Sequence, residues 1–471
     1  MIDLQNLSFS YPGQKALLED VNLSIASGEV VVLCGASGSG KSTLLKILNG
    51  LIPELYEGKL DGEGTILEND FLGIDFNAYV KEIGVVFQNP KTQFFTTDVY
   101  SELAFSLENY GVSRECIIER IQEITKLLGL EKLLGHSMFN LSGGQKQLVA
   151  FASACMLEHK LFLLDEPSSN LDEKTIDQLK SYIQQLKQQG FTIIIAEHRL
   201  HYLTELADRY LVMENGNIIG NHTKEVMIKQ PPESLAALGL RPLLPTAIQP
   251  RTIQPLSINE ANQLLQCKDV SFHYPRKKSG IKIPNLTLDS GQIIGITGTN
   301  GAGKSTLFKL LSGITKPKKG TIWFNGQKMT PRQLIKESFM VMQDVNLQLF
   351  FESVEKEITA KAVDLSYFST AVELLNLKYL LRRHPQTLSG GEKQRVAIAT
   401  ALLSGKKIIF FDEPTSGLDL KHMEEVSKTI RVLHKQHVLI LIITHDKEFL
   451  SKTCHRVLAI EDGEITADYP I

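Results

Sequence analysis

The sequence predicts an α/β chain of two tandem domains, each a mostly parallel sheet whose strands lead into glycine-rich or acidic loops. Three observations carry this. A glycine-rich loop of the form G-x-x-x-x-G-K-[ST] occurs twice, as Gly35-Ala36-Ser37-Gly38-Ser39-Gly40-Lys41-Ser42 and as Gly298-Thr299-Asn300-Gly301-Ala302-Gly303-Lys304-Ser305. Short continuous aliphatic runs (Glu29 to Leu33, Leu161 to Leu164, Thr192 to Ala196) alternate with helical segments, the pattern of strands buried on both faces. Each loop is then followed, in the same order, by Leu-Ser-Gly-Gly-Gln/Glu, by an apolar run ending in Asp-Glu-Pro, and by a histidine after another apolar run.

The two copies align closely. Leu7-Ser8-Phe9-Ser10-Tyr11-Pro12 and Val270-Ser271-Phe272-His273-Tyr274-Pro275 lie 263 residues apart, as do the two loops, whereas from the Ser-Gly-Gly motifs onward the offset is 247. The first copy is longer by 16 residues, half of them between Lys41 and Gln88 and half between Gln88 and Ser142. This is a duplication of whole domains, 1–228 and 266–471, and not a solenoid of short units. The intervening 229–265 holds six prolines (Pro231, Pro232, Pro242, Pro245, Pro250, Pro255) and few charges, so it reads as an extended, semi-rigid linker.

Within each copy, Glu29 to Leu33 feeds the first loop as a strand, and Ser42 to Asn49 continues it as a helix. Residues 100–135 and 353–383 read as helical, and the stripe Ile117, Ile121, Ile124, Leu127, Leu128 is assigned to core. Such sheets bind ligands at the carboxyl ends of their strands, where these motifs fall.

Composition narrows the class. The 471 residues are 43% hydrophobic and 22% charged with a net charge of −3, which is ordinary for a globular chain and gives no basic excess for nucleic acid. The five cysteines are scattered without a C-x-x-C pair and read as reduced, mostly buried thiols. Aliphatic runs reach about six residues, whereas a membrane-spanning helix needs about 20. Met1-Ile2-Asp3-Leu4 has neither the basic region nor the apolar core of a signal.

The loops need glycine because the backbone must wrap an anion with its N–H groups pointing inward, hence Gly35, Gly38, Gly40 and Gly298, Gly301, Gly303. Lys41 and Lys304 suit the β- and γ-phosphates; Ser42 and Ser305 suit Mg²⁺; the following helix adds its N-terminal dipole. Asp165-Glu166 and Asp412-Glu413 each put two carboxylates at the end of a buried strand. The first suits Mg²⁺ and the second a general base acting on water.

With these residues in view, the chain resembles the nucleotide-binding subunits of ABC transporters over nearly everything outside the linker. Leu141-Ser142-Gly143-Gly144-Gln145 and Leu388-Ser389-Gly390-Gly391-Glu392 carry the most specific likeness. The resemblance implies two ABC-type P-loop NTPase domains, each with a RecA-like parallel core, an antiparallel β subdomain and a helical subdomain. It implies ATP and Mg²⁺ as cofactors and a head-to-tail arrangement in which each signature, through Ser142 and Gly144 or Ser389 and Gly391, closes over the other domain's ATP. By the same resemblance Tyr11 and Tyr274 stack on adenine, Thr43 and Thr306 line the phosphates, and Gln88 and Gln343 touch Mg²⁺ and water. Asp172 and Asp419 belong to the interface loop, and His198 and His445 reach the γ-phosphate. Glu392 in place of glutamine sits near a helix start, where a negative charge is tolerated, and reads as a harmless variant; with Arg199 against Asp446 and Asn170 against Gly417, such differences allow the two sites to differ in rate.

Phe87-Gln88-Asn89-Pro90-Lys91-Thr92-Gln93-Phe94-Phe95 and Met342-Gln343-Asp344-Val345-Asn346-Leu347-Gln348-Leu349-Phe350 resemble segments in the ATPases of energy-coupling factor importers, of the cobalt and thiamine-precursor types. That resemblance implies a peripheral protein on the cytoplasmic face of the membrane. Its partners would be a transmembrane coupling protein and a membrane-embedded substrate-binding subunit, with vitamin, vitamin precursor or metal ion as cargo and no nucleic acid. Two alternatives stand beside it: a tandem ATPase of another importer, of the sugar type, and a soluble two-domain ABC factor acting in translation. The latter type usually carries a long, charged helical linker, unlike the Pro-rich segment here.

Overall fold

A computed structural model describes every residue except Asn170, Gln249, 251–263 and 275–279, and the side chain of Lys91. The chain divides into two compact units, Met1–Leu244 and Pro245–Ile471.

In the first unit, β1 (Ile2–Ser10), β2 (Leu18–Ile25), β3 (Val30–Gly35), β4 (Lys59–Ile66), β5 (Asn69–Asp70), β6 (Ile83–Val86), β7 (Leu161–Asp165), β8 (Thr192–Ala196), β9 (Arg209–Glu214) and β10 (Asn217–Thr223) form two sheets. The larger is ordered β10-β9-β3-β8-β7-β6, with only the β9–β10 pair antiparallel. The smaller, β2-β1-β4-β5, is antiparallel. Every residue of β3 and β8 is buried, as continuous aliphatic runs demand, whereas β1 and β4 alternate because one face meets solvent. One apolar cluster joins Ile2, Leu4 and Phe9 of β1 to Val31, Leu33, Leu44 and Leu48 around the loop helix. A second lies toward the helices Val99–Asn109, Arg114–Leu128 and Gly143–Ala154, and there Ile117, Ile121, Ile124 and Leu128 are buried while Leu127 packs at the edge.

The second unit repeats the plan with β11 (Leu264–His273), β12 (Gly280–Asp289), β13 (Ile293–Thr297), β14 (Lys319–Phe324), β15 (Gln327–Lys328), β16 (Ser338–Val341), β17 (Ile408–Asp412), β18 (Leu439–Ile443), β19 (Arg456–Glu461) and β20 (Glu464–Pro470). Its sheets are β16-β17-β18-β13-β19-β20 and β12-β11-β14-β15. The two-sheet, α/β P-loop architecture is as expected. The stretch 353–383 is less helical than its counterpart, holding only Val354–Thr359 and Phe368–Leu374.

The domain boundary differs from expectation. Residues 229–244 are not an extended spacer but the end of the first unit: Pro231 and Pro232 start a helix (Pro232–Ala237), and Leu235, Leu240 and Leu243 are buried in the first unit's core. Proline at a helix start loses no hydrogen bond, so the same prolines that suggest extension permit folding here. Of the rest, Ile248 packs against the second unit's core and Leu264 and Leu265 already belong to β11, while Gln249 and 251–263 with Pro255 lie outside the described residues, as do Pro275 and Asn170.

Candidate functional site

The phosphate loop leaves β3 at Gly35 and enters helix Lys41–Leu48, and its counterpart leaves β13 and enters helix Lys304–Leu311. Gly35 is at φ 147 and Gly298 at φ 141, and a Cβ on either would come within 2.1 or 2.2 Å of a carbonyl oxygen, of Met213 or Ile460 respectively. Only glycine permits that approach. Lys41 is 5% and Lys304 7% exposed; each ammonium lies inside its own loop, Lys41 Nζ donating to the Gly35 and Ala36 carbonyls at 2.9 Å. Lys304 Nζ donates to the Gly298 carbonyl at 2.6 Å and the Thr299 carbonyl at 3.0 Å, and stands 3.1 Å from His445 Nε2.

The carboxylates sit at the ends of β7 and β17 as expected. Ser42 Oγ donates to Asp165 Oδ1 at 3.1 Å, which sets two oxygens side by side beside the loop, the ligand type a hard cation takes. Burial first, then the adjacent Glu166, pushes Asp165 up to about 6; burial also raises Asp412. Among the described residues no cluster of three or more His, Cys, Asp or Glu side chains could hold a metal by itself. A cation here would therefore draw on hydroxyl, carboxylate and nucleotide oxygens, which suits Mg²⁺.

Glu166 is the centre of the first constellation. Its Oε2 accepts the Gln88 amide at 2.8 Å, and its Oε1 stands 3.5 Å from His198 Nε2. Burial favours its neutral form, but His198, Lys41 and the Gln88 amide together outweigh burial and hold the carboxyl below its ordinary range. In the second unit Glu413 Oε1 is likewise 3.5 Å from His445 Nε2. Both glutamates have a left-handed backbone, φ 44 and φ 51, which is rare outside glycine and asparagine. Each backbone N–H is tied to the neighbouring strand's last carbonyl, Ala196 at 2.8 Å and Ile443 at 2.9 Å. The fold thus holds a strained backbone where a carboxylate must project, a pattern found at active sites.

Tyr11 and Tyr274 follow β1 and β11, half-buried, each edge-on to the phenylalanine two residues earlier at 4.8 and 4.9 Å; the Tyr274 hydroxyl is 3.3 Å from Thr306 Oγ1. Thr43 is buried in the first turn after the first loop. Asp172 and Asp419 are buried within their own units as helix N-caps, accepting from Thr175 N at 2.9 Å and His422 N at 2.8 Å.

Ser142 and Ser389 cap the helices Gly143–Ala154 and Gly390–Leu403, with Gly144 and Gly391 in the first turn. Each capping box is closed by the third helical residue, Gln145 or Glu392, whose side-chain oxygen accepts the serine N–H at 2.9 or 2.7 Å. The glutamate is a working substitute because a capping box accepts either residue.

Of the aromatic stretch after each glutamine, Phe95 and Phe350 are each 73% exposed. Phe94 instead packs against the first unit's core and Phe351 is half-buried, so of these four phenylalanines only Phe95 and Phe350 present an open ring. Sequence reasoning missed the residues that shape this stretch. The buried Glu102 accepts from Phe95 N, Thr96 N and Thr96 Oγ1 at 2.8–3.1 Å, and Glu357 accepts from Phe350 N and Phe351 N at 2.7 and 2.9 Å. Their common place, 255 residues apart like Gln88 and Gln343, was the available signal.

A family model described as ABC transporter matches residues 18–169 and 281–416. A protein of Treponema denticola, provisionally named an ABC transporter ATP-binding protein, is 41% identical over 99% of this chain and 97% of its own length. The structure of an archaeal ribosome recycling factor, solved in complex with the ribosomal stalk protein aP1, aligns with a TM-score of 0.64 at 25% identity, over 96% of this chain and 88% of that one. The likeness to cbiO1 of Clostridium perfringens, part of the ABC transporter complex cbiONQ, covers 51% of this chain and 94% of that one at 29% identity and a TM-score of 0.45, too loose to bear on function.

Proposed function

We propose, from the premise that this chain belongs to the ABC transporter ATP-binding family and is an ATPase, that both units bind and hydrolyse ATP and that the energy drives a separate partner. The observation that supports two working sites is the repeated set of phosphate loop, strand-end carboxylates and histidine, with the same 3.5 Å between histidine and glutamate in both units. In this reading the loop amides with Lys41 or Lys304 hold the phosphates, and Tyr11 or Tyr274 faces the adenine. Mg²⁺, when bound, neutralises phosphate charge and would rest on Ser42 and Asp165, or Ser305 and Asp412, with Gln88 or Gln343 nearby. Glu166 or Glu413 takes the proton of the attacking water, while His198 or His445 steadies the γ-phosphate. The signature serines present helix N-termini, which favour an anion.

For the partner, two readings have support. A transporter's membrane subunit is supported by the names of the full-length relatives and by exposed Phe95 and Phe350, a few residues after Gln88 and Gln343. Among the described residues no helix is long and apolar enough to cross a membrane, so such a subunit would be a separate chain. The energy-coupling factor subtype, with its vitamin, precursor or metal cargo, rests on the residue resemblance after Gln88 and Gln343 alone. A ribosome-associated factor is supported by the full-length structural likeness, which favours it over the energy-coupling factor subtype. Fractionation of cells expressing the tagged chain separates the two. Recovery with membranes, lost on Phe95→Ser/Phe350→Ser while basal ATPase persists, supports the transporter reading; sedimentation with ribosomes in an ATP-dependent manner supports the other and overturns it.

A further inference from the structure

The histidines that flank the two carboxylates hold the same position by different means. In the first unit, Glu197 precedes His198 at the end of β8 and is only 2% exposed. Its carboxylate accepts four hydrogen bonds: Oε1 from Ser168 N at 3.1 Å and the Tyr202 hydroxyl at 3.0 Å, and Oε2 from His198 N at 2.7 Å and Arg199 N at 3.2 Å. In the second unit, Thr444 occupies the corresponding place, and its Oγ1 accepts from Asp446 N at 3.0 Å. There the carboxylate comes one residue after the histidine: Asp446 accepts from Phe449 N at 3.1 Å and from Thr415 Oγ1 at 3.3 Å.

The backbone frame is otherwise shared. Glu197 N donates to the Leu33 carbonyl at 3.1 Å and Thr444 N to the Ile296 carbonyl at 3.3 Å, equivalent residues of β3 and β13. Four positions differ together: Ser168, Glu197, Arg199 and Tyr202 against Thr415, Thr444, Asp446 and Phe449. Moving the carboxylate to position 197 leaves position 199 free for a cation, and the Arg199 guanidinium reaches the Leu171 carbonyl at 3.4 Å, next to the helix cap Asp172. A buried carboxylate that accepts four hydrogen bonds is fixed in place, and with it the backbone N–H groups that donate to it.

We propose that Glu197 is a positioning residue for ATP hydrolysis at the first site: with Tyr202 it clamps the loop that carries His198, replacing the carboxylate that the second site places at Asp446. It rests on the reading above in which His198 steadies the γ-phosphate. A misplacement of about 1 Å can cost on the order of a hundredfold in rate, so loss of the clamp acts on turnover and leaves nucleotide binding by the phosphate loop nearly intact.

The test uses the full chain with Glu197→Gln, once with the second site intact and once with Glu413→Gln. If the sites fire together the first background shows the loss, and if they fire separately the second does. In whichever background reports, kcat is expected to fall at least about tenfold while KM for ATP stays within about threefold. The quartet Ser168→Thr/Glu197→Thr/Arg199→Asp/Tyr202→Phe, which installs the second unit's set, should recover kcat to within about threefold of the parent. Thermal melting and nucleotide binding identify any variant that fails to fold; Glu197→Asp then takes its place, with an intermediate kcat expected and parental kcat overturning the proposal. A folded Glu197→Gln chain with parental kcat in both backgrounds overturns it, as does a folded quartet no faster than Glu197→Gln. If His198→Ala itself leaves hydrolysis unchanged in both backgrounds, it is the underlying assignment of the histidine that fails.

Discussion

Replacing Glu166 by glutamine removes the carboxylate's charge and basicity and leaves its shape. The side chain keeps its size, and an amide oxygen turned toward Gln88 preserves the 2.8 Å hydrogen bond; the amide nitrogen then faces His198 Nε2, which accepts from it when the ring carries its proton on Nδ1. The buried corner keeps its packing, and the proton acceptor is lost. Removal of a general base slows a reaction by about 10² to 10⁴, which is roughly 2.7–5.4 kcal/mol of barrier at 1.36 kcal/mol per factor of ten. Phosphate release from saturating MgATP would be followed for Glu166→Gln, Glu413→Gln and the double variant, with ATP affinity measured in parallel. The double variant should lose activity by that factor and bind ATP within about threefold of the parent. Each single variant should retain about half the rate if the sites are independent, or fall as far as the double if they are coupled. A double variant with more than about a tenth of parental turnover would refute the role given to both glutamates.

Burial pushes His159 down to about 4, so the folded state keeps this ring neutral where the unfolded chain, near its ordinary 6.5, takes up a proton. Its contribution to stability is thus complete above pH 6.5 and is lost as pH falls toward 4, by about 2 kcal/mol at pH 5; His159→Gln should show a smaller drop in melting temperature between pH 7 and 5 than the parent does. The left-handed backbone at Glu166 costs about 1 kcal/mol that glycine does not incur, so Glu166→Gly should melt higher than Glu166→Ala, and the reverse order would show the strain to be absent. Gly298→Ala should abolish folding of the second loop or ATP binding there, since its Cβ would meet the Ile460 carbonyl; normal binding would contradict the crowding described.

The phosphate loops, strand-end carboxylates and histidines were legible in the sequence because each is a local pattern fixed by one turn or one strand end. The exchange of Gln145 for Glu392 was legible as harmless, but its cause, a closed capping box, needed the geometry. Phe94 and Phe95 are adjacent in sequence yet face opposite environments, because Glu102 grips the backbone between them from a helix several residues later. Prolines at 231 and 232 suggested a spacer because composition carries no information about the three leucines that dock behind them. Glu197 was hidden for a different reason: a carboxylate just after an aliphatic strand reads as an irregularity until its four donors, Ser168 from a neighbouring strand end and His198, Arg199 and Tyr202 from the turn that follows, are seen around it.

The docked tail of the first unit decides where this chain can be divided. Residues 229–244 contribute Leu235, Leu240 and Leu243 to a core otherwise made by the preceding residues. A fragment ending at 228 would lose three side chains whose burial stabilises by roughly 1.5–3 kcal/mol each, and would open an apolar trough in their place. A fragment ending at Leu244 keeps them and also keeps Gly239, where a Cβ would stand 3.5 Å from Ala36 of the phosphate loop. The tail thus flanks the nucleotide loop as well as closing the core, so kinetics measured on an isolated first half depend on which of the two ends is chosen.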